Sequence, residues 1–407
     1  MANIREQQIQ KSYKMNHSQP TNNKAEDNNA GFIFSEDFKP FNQINDIFTR
    51  AFWDEKVRSD DTDAFFESYR VQPLPRKAFG FKQKDFALRN ASWAISDIFS
   101  NRGSEEGKRE GFQAPMENDT LIAKEKIPIQ DIEQFTVEIK NIAKFFGADL
   151  VGITLLDKRW HYSHRVDNRE VKPVPNDLPE SLSHVIVLGH SMKKSLIDTY
   201  PSALAGAAAG LEYSREATIV TQLTSYIKSI GYNAIGSMND TALAIPYAIK
   251  AGLGEYGRHQ MVITPEFGPR VRFSKIFTSL SLKPDQAKKF RITEYCNKCT
   301  KCADACPPKA LPYGKPTFGT DSPSTIQGIK KWSANCEKCF GYWAKLRSDC
   351  AICMRVCPFN RDFSKLGGKI FRLIATSRLQ PLALWWEKKV TRFKRIKPDV
   401  WWSHHLK

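Results

Sequence analysis

Hydrophobic and polar positions follow two different periods through the middle of the chain, between residues 127 and 285. Stretches with a helical period predict helices, and short apolar runs with alternating positions predict strands. The predicted elements are a helix at Ile129–Phe146, strands at Leu150–Leu155 and His184–His190, a helix at Glu212–Ile230, a strand at Ala234–Gly236, a helix at Ala242–Ala251, and strands at Met261–Thr264 and Val271–Leu280. This alternation predicts an α/β or α+β core.

The two segments before this core have different patterns. Residues 1–30 are polar and rich in Asn, Gln and Lys, which predicts a disordered lead. Residues 31–126 are rich in aromatic side chains but show no strong period, which predicts a cap of helices and loops whose rings pack on the next domain or line a pocket. These rings are Phe32, Phe34, Phe38, Phe41, Phe48, Phe52, Trp53, Phe65, Phe66 and Trp93.

The length and charge of the chain limit its organisation and its partners. A chain of 407 residues predicts two or three domains, because a single core rarely grows beyond about 250–300 residues. There are 61 Lys and Arg against 44 Asp and Glu, a formal net charge of +17. This charge permits nucleic acid, anionic lipid or a polyanionic cofactor tail as an acidic partner, without choosing among them.

The C-terminal tail, residues 366–407, is basic and rich in tryptophan. It contains Trp385, Trp386, Trp401 and Trp402 among ten Lys and Arg and two acidic residues. Aromatic anchors beside cations suit a membrane surface or a nucleic acid. Packing of the tail on the body of the protein is the ordinary alternative, and we expect it for most of the tail.

The sequence predicts a cytoplasmic location. The first residues contain no apolar segment typical of an export signal, and no two arginines are adjacent anywhere in the chain. No run of about 18 apolar residues is present. The nine cysteines are grouped closely along the chain, and free thiols in such a group fit a reducing compartment. The basic tail is a candidate for association with a membrane surface.

All nine cysteines lie between Cys296 and Cys357, in two runs. The runs read Cys296-x2-Cys299-x2-Cys302-x3-Cys306-Pro307 and Cys339-x10-Cys350-x2-Cys353-x3-Cys357-Pro358. This spacing is typical of bacterial ferredoxins with two [4Fe–4S] clusters, in which three thiolates of a run hold one cluster and the fourth holds the other. The crossed assignment places Cys296, Cys299, Cys302 and Cys357 on one cluster and Cys306, Cys339, Cys350 and Cys353 on the other.

One of the nine cysteines is not needed for two clusters. Cys336 and Cys339 form a CxxC pair and can exchange the role of eighth ligand, with Cys336 expected to be the spare thiol. A zinc ribbon or a disulfide framework is the alternative, but zinc sites usually close with two CxxC pairs or with histidines. The runs therefore predict a ferredoxin-like module with two [4Fe–4S] clusters at residues 286–365 and a function in electron transfer.

A glycine-rich stretch precedes the last predicted strands. Gly252, Gly254 and Gly257 match the pattern G-x-G-x-x-G, but they follow a helix and lead into a strand, which is not the context of a dinucleotide-binding turn. We expect a tight turn whose backbone approaches a cofactor closely. His259, beside this turn, is a further candidate for a cofactor contact, and a structural histidine is the alternative.

Residues 150–360 resemble the corrinoid-dependent reductive dehalogenases. The resemblance is carried by the ordered motifs Leu211–Ser214, Tyr226–Ala234, Met238–Asp240, Ala251–His259, Ile263–Arg272 and Lys338–Trp343, together with both cysteine runs. It implies a nitroreductase-like core at residues 127–285 that holds a base-off cobamide, with the two clusters delivering electrons to cobalt. The D-x-H-x-x-G cobalt-ligand motif is absent from this sequence, which is consistent with cobalt that has no protein ligand.

By this resemblance, Tyr213, Asn239 and Arg272 are the catalytic residues. Reductive removal of halide needs two electrons and one proton, and a phenol with a pKa near 10 is a better acid when a cation stabilises the phenolate. Arg272 would supply that cation, with Arg270 as the alternate, and Asn239 would donate a hydrogen bond to the substrate or the halide. Without the resemblance, Tyr213 suits packing at a helix start, Asn239 with Asp240 suits a turn or a helix cap, and Arg272 suits a surface ion pair.

The resemblance implies a dehalogenase that acts on a halophenol or a haloalkene, with a halophenol expected first. No flavin or ferredoxin-reductase domain follows the clusters, so electrons are expected from a separate ferredoxin, flavodoxin or reductase. The missing twin-arginine signal favours a catabolic role over a respiratory one. One alternative is epoxyqueuosine reductase, which acts on tRNA, although no helical-repeat domain follows here. The other alternative is a ferredoxin-type electron carrier, which would leave the residues before Cys296 without a function.

Overall fold

A central antiparallel sheet organises the fold. The computed structural model describes residues 23–69, 76–99, 116, 118–167, 170–389 and 395–404. The strands of the whole fold are β1 (Leu150–Leu155), β2 (His164–Asp167), β3 (Lys172–Pro175), β4 (His184–Ser191), β5 (Ala234–Ser237), β6 (Glu255–Tyr256), β7 (Val262–Ile263) and β8 (Val271–Thr278). The sheet has the order β1-β4-β8-β5, and each neighbouring pair is antiparallel. The fold is therefore α+β, one of the two classes that the sequence predicted.

Helices surround this sheet and form most of the remaining regular secondary structure. They are α1 (Asn23–Ala30), α2 (Ile47–Trp53), α3 (Asp60–Glu67), α4 (Gln83–Phe99), α5 (Ile132–Phe145), α6 (Lys194–Ile197), α7 (Ala203–Ser229), α8 (Ala244–Lys250), α9 (Ile292–Lys298), α10 (Lys301–Ala305), α11 (Cys336–Leu346), α12 (Ile352–Arg355), α13 (Leu366–Ala375), α14 (Gln380–Lys389) and α15 (Pro398–His404). None of these described helices is long and apolar enough to cross a membrane.

Both faces of the central sheet are covered by helices, because its middle strands are apolar on both sides. In β4, residues 185–190 are all buried. Ile186 and Leu188 pack with Leu223 of α7 on one face. Val187 packs with Tyr247 of α8 on the other face. The near-continuous apolar run of β4 is the sequence pattern of a strand buried on both faces.

The predicted core elements occur in the structure with shifted ends, and the largest shift is at the start of α7. This helix begins at Ala203 instead of Glu212, because Ser202 caps it: the Ser202 hydroxyl accepts a hydrogen bond from the Ala205 N–H. Tyr213 therefore lies inside a long helix, whereas the sequence placed it at a helix start. The consequence is a side chain held by a rigid element.

The end of the predicted disordered lead is helical. Residues 1–22 lie outside the described residues, but residues 23–30 form α1. The helix is held by charge pairs: Arg159 donates from both terminal nitrogens to the Asp27 carboxylate at 2.8 and 2.9 Å. Glu26 lies 3.3 Å from the buried Lys250 ammonium. A polar segment is ordered here because its charges find partners on the core, which composition does not reveal.

The aromatic rings of the cap have both roles that the sequence predicted: they pack on the rest of the protein and they line a cavity. Phe34 and Phe38 pack around Trp160 of the core, with ring centroids 5.5 and 6.0 Å from it. Phe48 packs on Phe340 of α11 at 5.2 Å. Phe48 also lines the large cavity described below. The cap therefore joins the core to the cysteine-rich module; the predicted domain boundaries themselves stay predictions.

The tail packs on the body of the protein through only part of its aromatic set. Trp401 of α15 is buried and donates from its indole nitrogen to the Ser195 hydroxyl at 3.1 Å. Trp385 and Trp386 of α14 are instead 53% and 50% exposed. The expectation of packing is thus confirmed for Trp401 and wrong for the α14 pair, which presents indole rings to the surroundings.

Candidate active site

A large cavity of about 1010 Å³ lies where the sheet, the cap and the cysteine-rich module meet. Its size is at the upper end of the range for small-molecule and cofactor sites. The wall includes side chains from each part of the fold: Phe41 and Phe48 of the cap, Tyr213 and Glu216 of α7, Asn239, Arg272 of β8, and Cys336, Cys350 and Met354 of the module. The three predicted catalytic residues therefore share one cavity.

The phenol of Tyr213 is the point where the predicted catalytic residues converge. Its oxygen accepts a hydrogen bond from Asn239 Nδ2 at 2.8 Å and another from Arg272 Nη1 at 3.0 Å. The Arg272 guanidinium carbon also lies 4.6 Å from the centre of the Tyr213 ring. Two donors, one of them charged, favour the phenolate form of this oxygen. The arrangement suits an acid that must release a proton into the cavity.

Arg272 has the position that its role requires, and Arg270 does not. Burial lowers the pKa of Arg272, but the interaction with Tyr213 and other nearby groups raises it overall, so the guanidinium stays charged. Arg270 precedes β8, and its guanidinium reaches the Met192 and Arg361 carbonyls at 3.4 and 3.3 Å. The alternate assignment of Arg270 was based on a shared strand face, and it is not supported, because this guanidinium lies at the Met192 and Arg361 carbonyls whereas Arg272 reaches Tyr213.

Asn239 is held in place by its own loop. Tyr162 donates its hydroxyl to the Asn239 carbonyl at 2.9 Å. The next residue, Asp240, accepts a hydrogen bond from the Met238 N–H at 2.9 Å and another from the Thr241 hydroxyl at 2.6 Å. These contacts fix the amide beside Tyr213. The predicted hydrogen bond from Asn239 to a substrate or halide stays a prediction, because the amide already donates to Tyr213.

Trp93 of the cap completes the setting of Tyr213. The two rings stack with centroids 4.7 Å apart and an interplanar angle of 25°. The approach of α4 to α7 is allowed by Gly210, where an added Cβ would lie 2.5 Å from Trp93 Cδ1. The sequence placed Trp93 in the cap without a role, and the glycine one turn before Tyr213 was the signal that a ring packs there.

Gly210→Ala should destabilise the protein, because the new methyl group would overlap the Trp93 ring. Overpacking of a tight contact typically costs about 1–3 kcal/mol. We expect a lower unfolding midpoint, measured by thermal denaturation of the purified protein. Gly341→Ala in α11 is the matched control: nothing lies within 4 Å of the added Cβ, so stability should stay equal or rise. Equal effects of the two changes would show that the contact with Trp93 is not tight.

Glu216 is a buried carboxyl group in the same cavity that the sequence analysis missed. It lies one helical turn after Tyr213, so the i, i+3 spacing was a usable signal. The side chain is buried, and neither carboxyl oxygen has a hydrogen-bond partner among the described residues. Burial raises the pKa of Glu216 to about 8, although Arg272 and Lys275 oppose the shift. At neutral pH this carboxyl group is therefore protonated. It does not neutralise the charge of Arg272, which can act on Tyr213.

The raised pKa of Glu216 predicts a pH dependence of stability. Between its ordinary value of 4.5 and about 8, the unfolded chain holds this carboxyl ionised while the folded protein holds it protonated. Folding takes up a proton, so the free energy of unfolding falls as the pH rises, by up to about 1.4 kcal/mol per unit. Glu216→Gln removes this contribution. We expect its unfolding midpoint to rise relative to the unmodified protein between about pH 5 and 8.

Thermal unfolding of both proteins across this pH range measures the effect. Glu138→Gln, at an exposed glutamate of α5, is the control for the same chemical change outside the cavity. If the Glu216→Gln difference were constant with pH, Glu216 would not be a neutral buried group in the folded protein.

The crossed assignment of the cysteines matches their positions. Cys296, Cys299, Cys302 and Cys357 line one small cavity that contains no other cysteine. Burial raises the pKa of the Cys302 thiol to about 12, so its thiolate form requires the positive charge of bound iron. We call these four residues the first cysteine group.

The remaining ligands form a second cysteine group next to the large cavity. Burial raises the pKa of Cys353 well above its usual value, and Cys350, Cys339 and Cys306 add to the shift because they lie beside it. Cys350 also lines the large cavity. No three His, Cys, Asp or Glu side chains of the described residues converge tightly enough for a single metal ion.

Cys336 lies at the edge of the second group, near enough to Cys339 to help raise the pKa of that thiol, which burial raises most. Its sulfur lies 3.7 and 3.8 Å from the Ser324 and Ala334 carbonyl oxygens, at the start of α11 and on the wall of the large cavity. Cys339, one turn later, faces Cys306 and Cys353. The geometry favours Cys339 as the eighth ligand and Cys336 as the spare thiol, as the sequence predicted.

The three glycines of the turn do not line the large cavity, although Glu255 and Tyr256 between them do. Added Cβ atoms at Gly252 and Gly254 would lie 2.5 Å from the Gln286 and Ile263 carbonyl oxygens, and one at Gly257 would lie 2.7 Å from Ile263 Cδ1. His259 lines the small cavity of the first cysteine group. The prediction that these four residues contact the cofactor of the core is therefore not supported. Their close approach is to protein.

Arg258, the residue that follows the glycine turn, binds the backbone around the first cysteine group. The side chain is fully buried, and its guanidinium donates to the Cys296 and Cys299 carbonyls at 2.8 Å each. It also donates to the Tyr313 and Gly314 carbonyls at 2.8 and 2.7 Å. The turn thus delivers one cation to the backbone around the first cysteine group, a role that the sequence analysis missed because a lone arginine carries no such signal.

Comparisons with known proteins agree with this architecture. Family models described as a reductive dehalogenase subunit and a 4Fe-4S double cluster binding domain match residues 164–282 and 295–360. The tetrachloroethene reductive dehalogenase of Sulfurospirillum multivorans is 32% identical over 368 residues, covering 82% of this chain and 72% of that protein. That of Dehalobacter restrictus is 34% identical over 273 residues, covering 56% of this chain and 48% of that protein.

A solved structure shares the fold. A reductive dehalogenase structure described as suggesting a mechanism for B12-dependent dehalogenation matches with a TM-score of 0.66 at 20% identity, over 87% of this chain and 46% of that chain. The chain thus spans about half of that structure and of the Dehalobacter protein. The double-cluster match confirms the two [4Fe–4S] clusters, while the nitroreductase-like description of the core stays a prediction. On the breadth of the Sulfurospirillum match, this chain belongs to the reductive dehalogenase family of oxidoreductases.

Proposed function

We propose that this protein removes halide from an organohalide by reduction, with a cobamide in the large cavity and Tyr213 as the proton donor. The observation that carries the proposal is the Tyr213 oxygen on the cavity wall, where it accepts hydrogen bonds from Arg272 and Asn239 at 3.0 and 2.8 Å. A cysteine of the second group, Cys350, lines the same cavity. Proton donor and electron source thus border one space.

The reaction balances with the groups that border the cavity. An organohalide R–X takes up two electrons and one proton and gives R–H and X⁻: the carbon–halogen bond breaks and a carbon–hydrogen bond forms. The electrons arrive through the clusters, and the proton comes from the Tyr213 hydroxyl. Loss of that proton leaves a phenolate, which the charge of Arg272 and the amide of Asn239 stabilise. Trp93 keeps the ring oriented during the transfer.

The cavity fits a cobamide in size, charge and lining. Its volume of about 1010 Å³ suits a large cofactor, and five lysines on its wall provide positive charge for a phosphate-bearing tail: Lys288, Lys289, Lys315, Lys330 and Lys331. The described residues of the wall include no histidine. When bound, the cobamide supplies a cobalt centre that passes electrons from the clusters to the organohalide.

The two cysteine groups give the electron path a direction. The second group borders the cavity through Cys350, and Cys302 of the first group packs with Cys306 of the second. The first group lies on the other side, beneath α13 and α14, because Phe371 and Ala383 pack with Cys296 and Cys299. Electrons would therefore enter at the first cluster, cross to the second and reach the cavity.

The substrate class follows from the relatives and from the wall of the cavity. The two curated relatives described above are tetrachloroethene reductive dehalogenases, so a chloroethene is the first substrate to test. Phe41, Phe48 and Tyr162 make the part of the wall near Asn239 aromatic. Aromatic walls also accept a halogenated ring, so the halophenol expected from the sequence stays a prediction.

Reconstitution tests this proposal directly. The protein is loaded anaerobically with iron, sulfide and a cobamide, and its corrinoid spectrum is recorded. Halide release from tetrachloroethene and from 2,6-dibromophenol is then measured with reduced methyl viologen. Corrinoid binding with release of halide from either compound is the expected result. Binding without halide release would overturn the dehalogenase and direct the test to tRNA that carries epoxyqueuosine, and failure to bind corrinoid would overturn the cofactor as well.

The proposal keeps the cytoplasmic location and the separate electron donor that the sequence predicted. A donor of the ferredoxin or flavodoxin class matches the need to fill the clusters one electron at a time. Contact of the basic tail with a membrane surface is retained as the alternative use of its exposed tryptophans. Fractionation of cells into soluble and membrane parts, with immunodetection of this chain, decides between the two locations.

A further inference from the structure

The outer side of α13 and α14 is an exposed apolar surface with a basic border. Leu373, Leu379, Leu382, Trp385 and Trp386 are each between 50% and 71% exposed. Lys369, Arg378, Lys388 and Lys389 are exposed beside them. The described part of these two helices contains one acidic residue, Glu387, and it is buried on the inner side. We call this surface the hairpin face.

The inner side of the same helices covers the first cysteine group. Phe371 of α13 packs on Tyr295 and Phe359, with ring centroids 6.3 and 5.7 Å away. Both of those residues line the small cavity that the four cysteines form. Glu387 of α14 accepts a hydrogen bond from Lys301, between Cys299 and Cys302, at 2.8 Å. One layer of helix, about 10 Å thick, thus separates the hairpin face from the first cluster site.

This position matters because an electron donor must bring its redox centre close to the first cluster. The rate of electron transfer falls steeply with distance, so a donor has to dock on a surface that lies directly over the cluster. Exposed tryptophans provide an apolar contact, and a basic border attracts and orients an acidic partner. An apolar patch with a charged border also suits the weak, transient complexes of electron carriers.

We propose that the hairpin face docks an acidic one-electron carrier protein of the flavodoxin or ferredoxin class. This inference rests on the proposed function, in which both clusters feed the large cavity. Each docking event moves one electron from the reduced carrier to the first cluster. The carrier is oxidised by one electron and the cluster is reduced by one, with no bond made or broken, so two events supply one turnover.

A paired variant tests the face without touching the cavity. Trp386→Ser combined with Lys389→Glu removes one anchor and reverses one charge on α14. The matched control is Phe145→Ser combined with Lys144→Glu on α5, where Phe145 is 84% exposed and the helix packs on β1 and α7. Both variants are loaded with clusters and cobamide, and their iron content and unfolding midpoints confirm that they are intact.

Two readouts follow for each protein, with reduced flavodoxin as the carrier: the stopped-flow rate of cluster reduction and the rate of halide release. Halide release is also measured with methyl viologen, which needs no docking surface. We expect the hairpin variant to lose at least about tenfold in cluster reduction by flavodoxin at low salt, where charge attraction is strongest. Its activity with methyl viologen should change by less than about twofold, since the cavity is intact. The α5 variant should match the unmodified protein in both.

The outcomes separate this inference from the proposed function. An unchanged rate of cluster reduction by flavodoxin in the hairpin variant, or no reduction of the unmodified protein by flavodoxin, would overturn the docking site. If the hairpin variant instead lost binding to vesicles of phosphatidylcholine and phosphatidylglycerol while its flavodoxin rate stayed unchanged, the face would be a membrane contact. Absence of halide release with every donor would overturn the dehalogenase alone, because cluster reduction is measured without substrate.

Discussion

Tyr213→Phe is expected to lower halide release by at least about 100-fold, the usual contribution of a positioned general acid. The change removes only the hydroxyl that accepts hydrogen bonds from Arg272 and Asn239, and it keeps the ring that stacks on Trp93. Iron content and the corrinoid spectrum should therefore stay as in the unmodified protein. The measurement is the initial rate of chloride release from tetrachloroethene with reduced methyl viologen.

A second tyrosine of the cavity provides the control. Tyr162 donates its hydroxyl to the Asn239 carbonyl, so Tyr162→Phe loosens the loop without removing the proton donor. We expect less than about a tenfold loss, because one neutral hydrogen bond contributes about 1 kcal/mol. If Tyr213→Phe retained more than about a tenth of the activity, a different acid would supply the proton. Glu216, protonated at neutral pH one turn along α7, would then be the first candidate.

Cys339→Ala should remove the second cluster and with it all halide release. Loss of one thiolate from a [4Fe–4S] site leaves an iron without its ligand, so iron content should fall from about eight to about four per chain. Methyl viologen should reduce the first cluster as before, but the cluster beside the cavity is gone. Iron and sulfide analysis, together with the electron paramagnetic resonance spectrum of the reduced protein, measures the effect.

Cys336→Ala is the matched control three residues away. The Cys336 sulfur lies against the Ser324 and Ala334 carbonyls and is not one of the eight assigned ligands, so iron content should stay near about eight. The opposite pattern, with iron lost from Cys336→Ala and kept in Cys339→Ala, would exchange the two roles and contradict the assignment made from both sequence and structure.

Features that depend on local spacing could be predicted from the sequence. The cysteine runs identified both cysteine groups, because ligand spacing along the chain largely determines how a cluster is wrapped. The strands of the central sheet were found for a similar reason: burial on both faces requires a continuous apolar run, as in residues 185–190 of β4. The convergence of Tyr213, Asn239 and Arg272 was expected from a family resemblance, and no period or spacing would have given it.

Features that depend on distant contacts could not be predicted in this way. The stack of Trp93 on Tyr213 and the ordering of α1 by Arg159 join residues more than a hundred positions apart. The glycine pattern predicted a turn that approaches a cofactor. At Gly254, however, the atom that leaves no room for a side chain is the nearby Ile263 carbonyl oxygen. A glycine records that something approaches the backbone, without saying whether it is a ligand or protein.

Arg258 has a consequence for the independence of the ferredoxin-like module. The side chain comes from the core, yet its guanidinium gathers carbonyl oxygens from two stretches of the module, at residues 296–299 and 312–314. Without that cation, several carbonyl dipoles would point at one another in a buried space. In a free-standing ferredoxin, such carbonyls would need hydrogen-bond donors from the ferredoxin itself. Here the donor comes from the core. The module therefore depends on the core for this donor, and the same module attached to a different core would need an arginine in the same place.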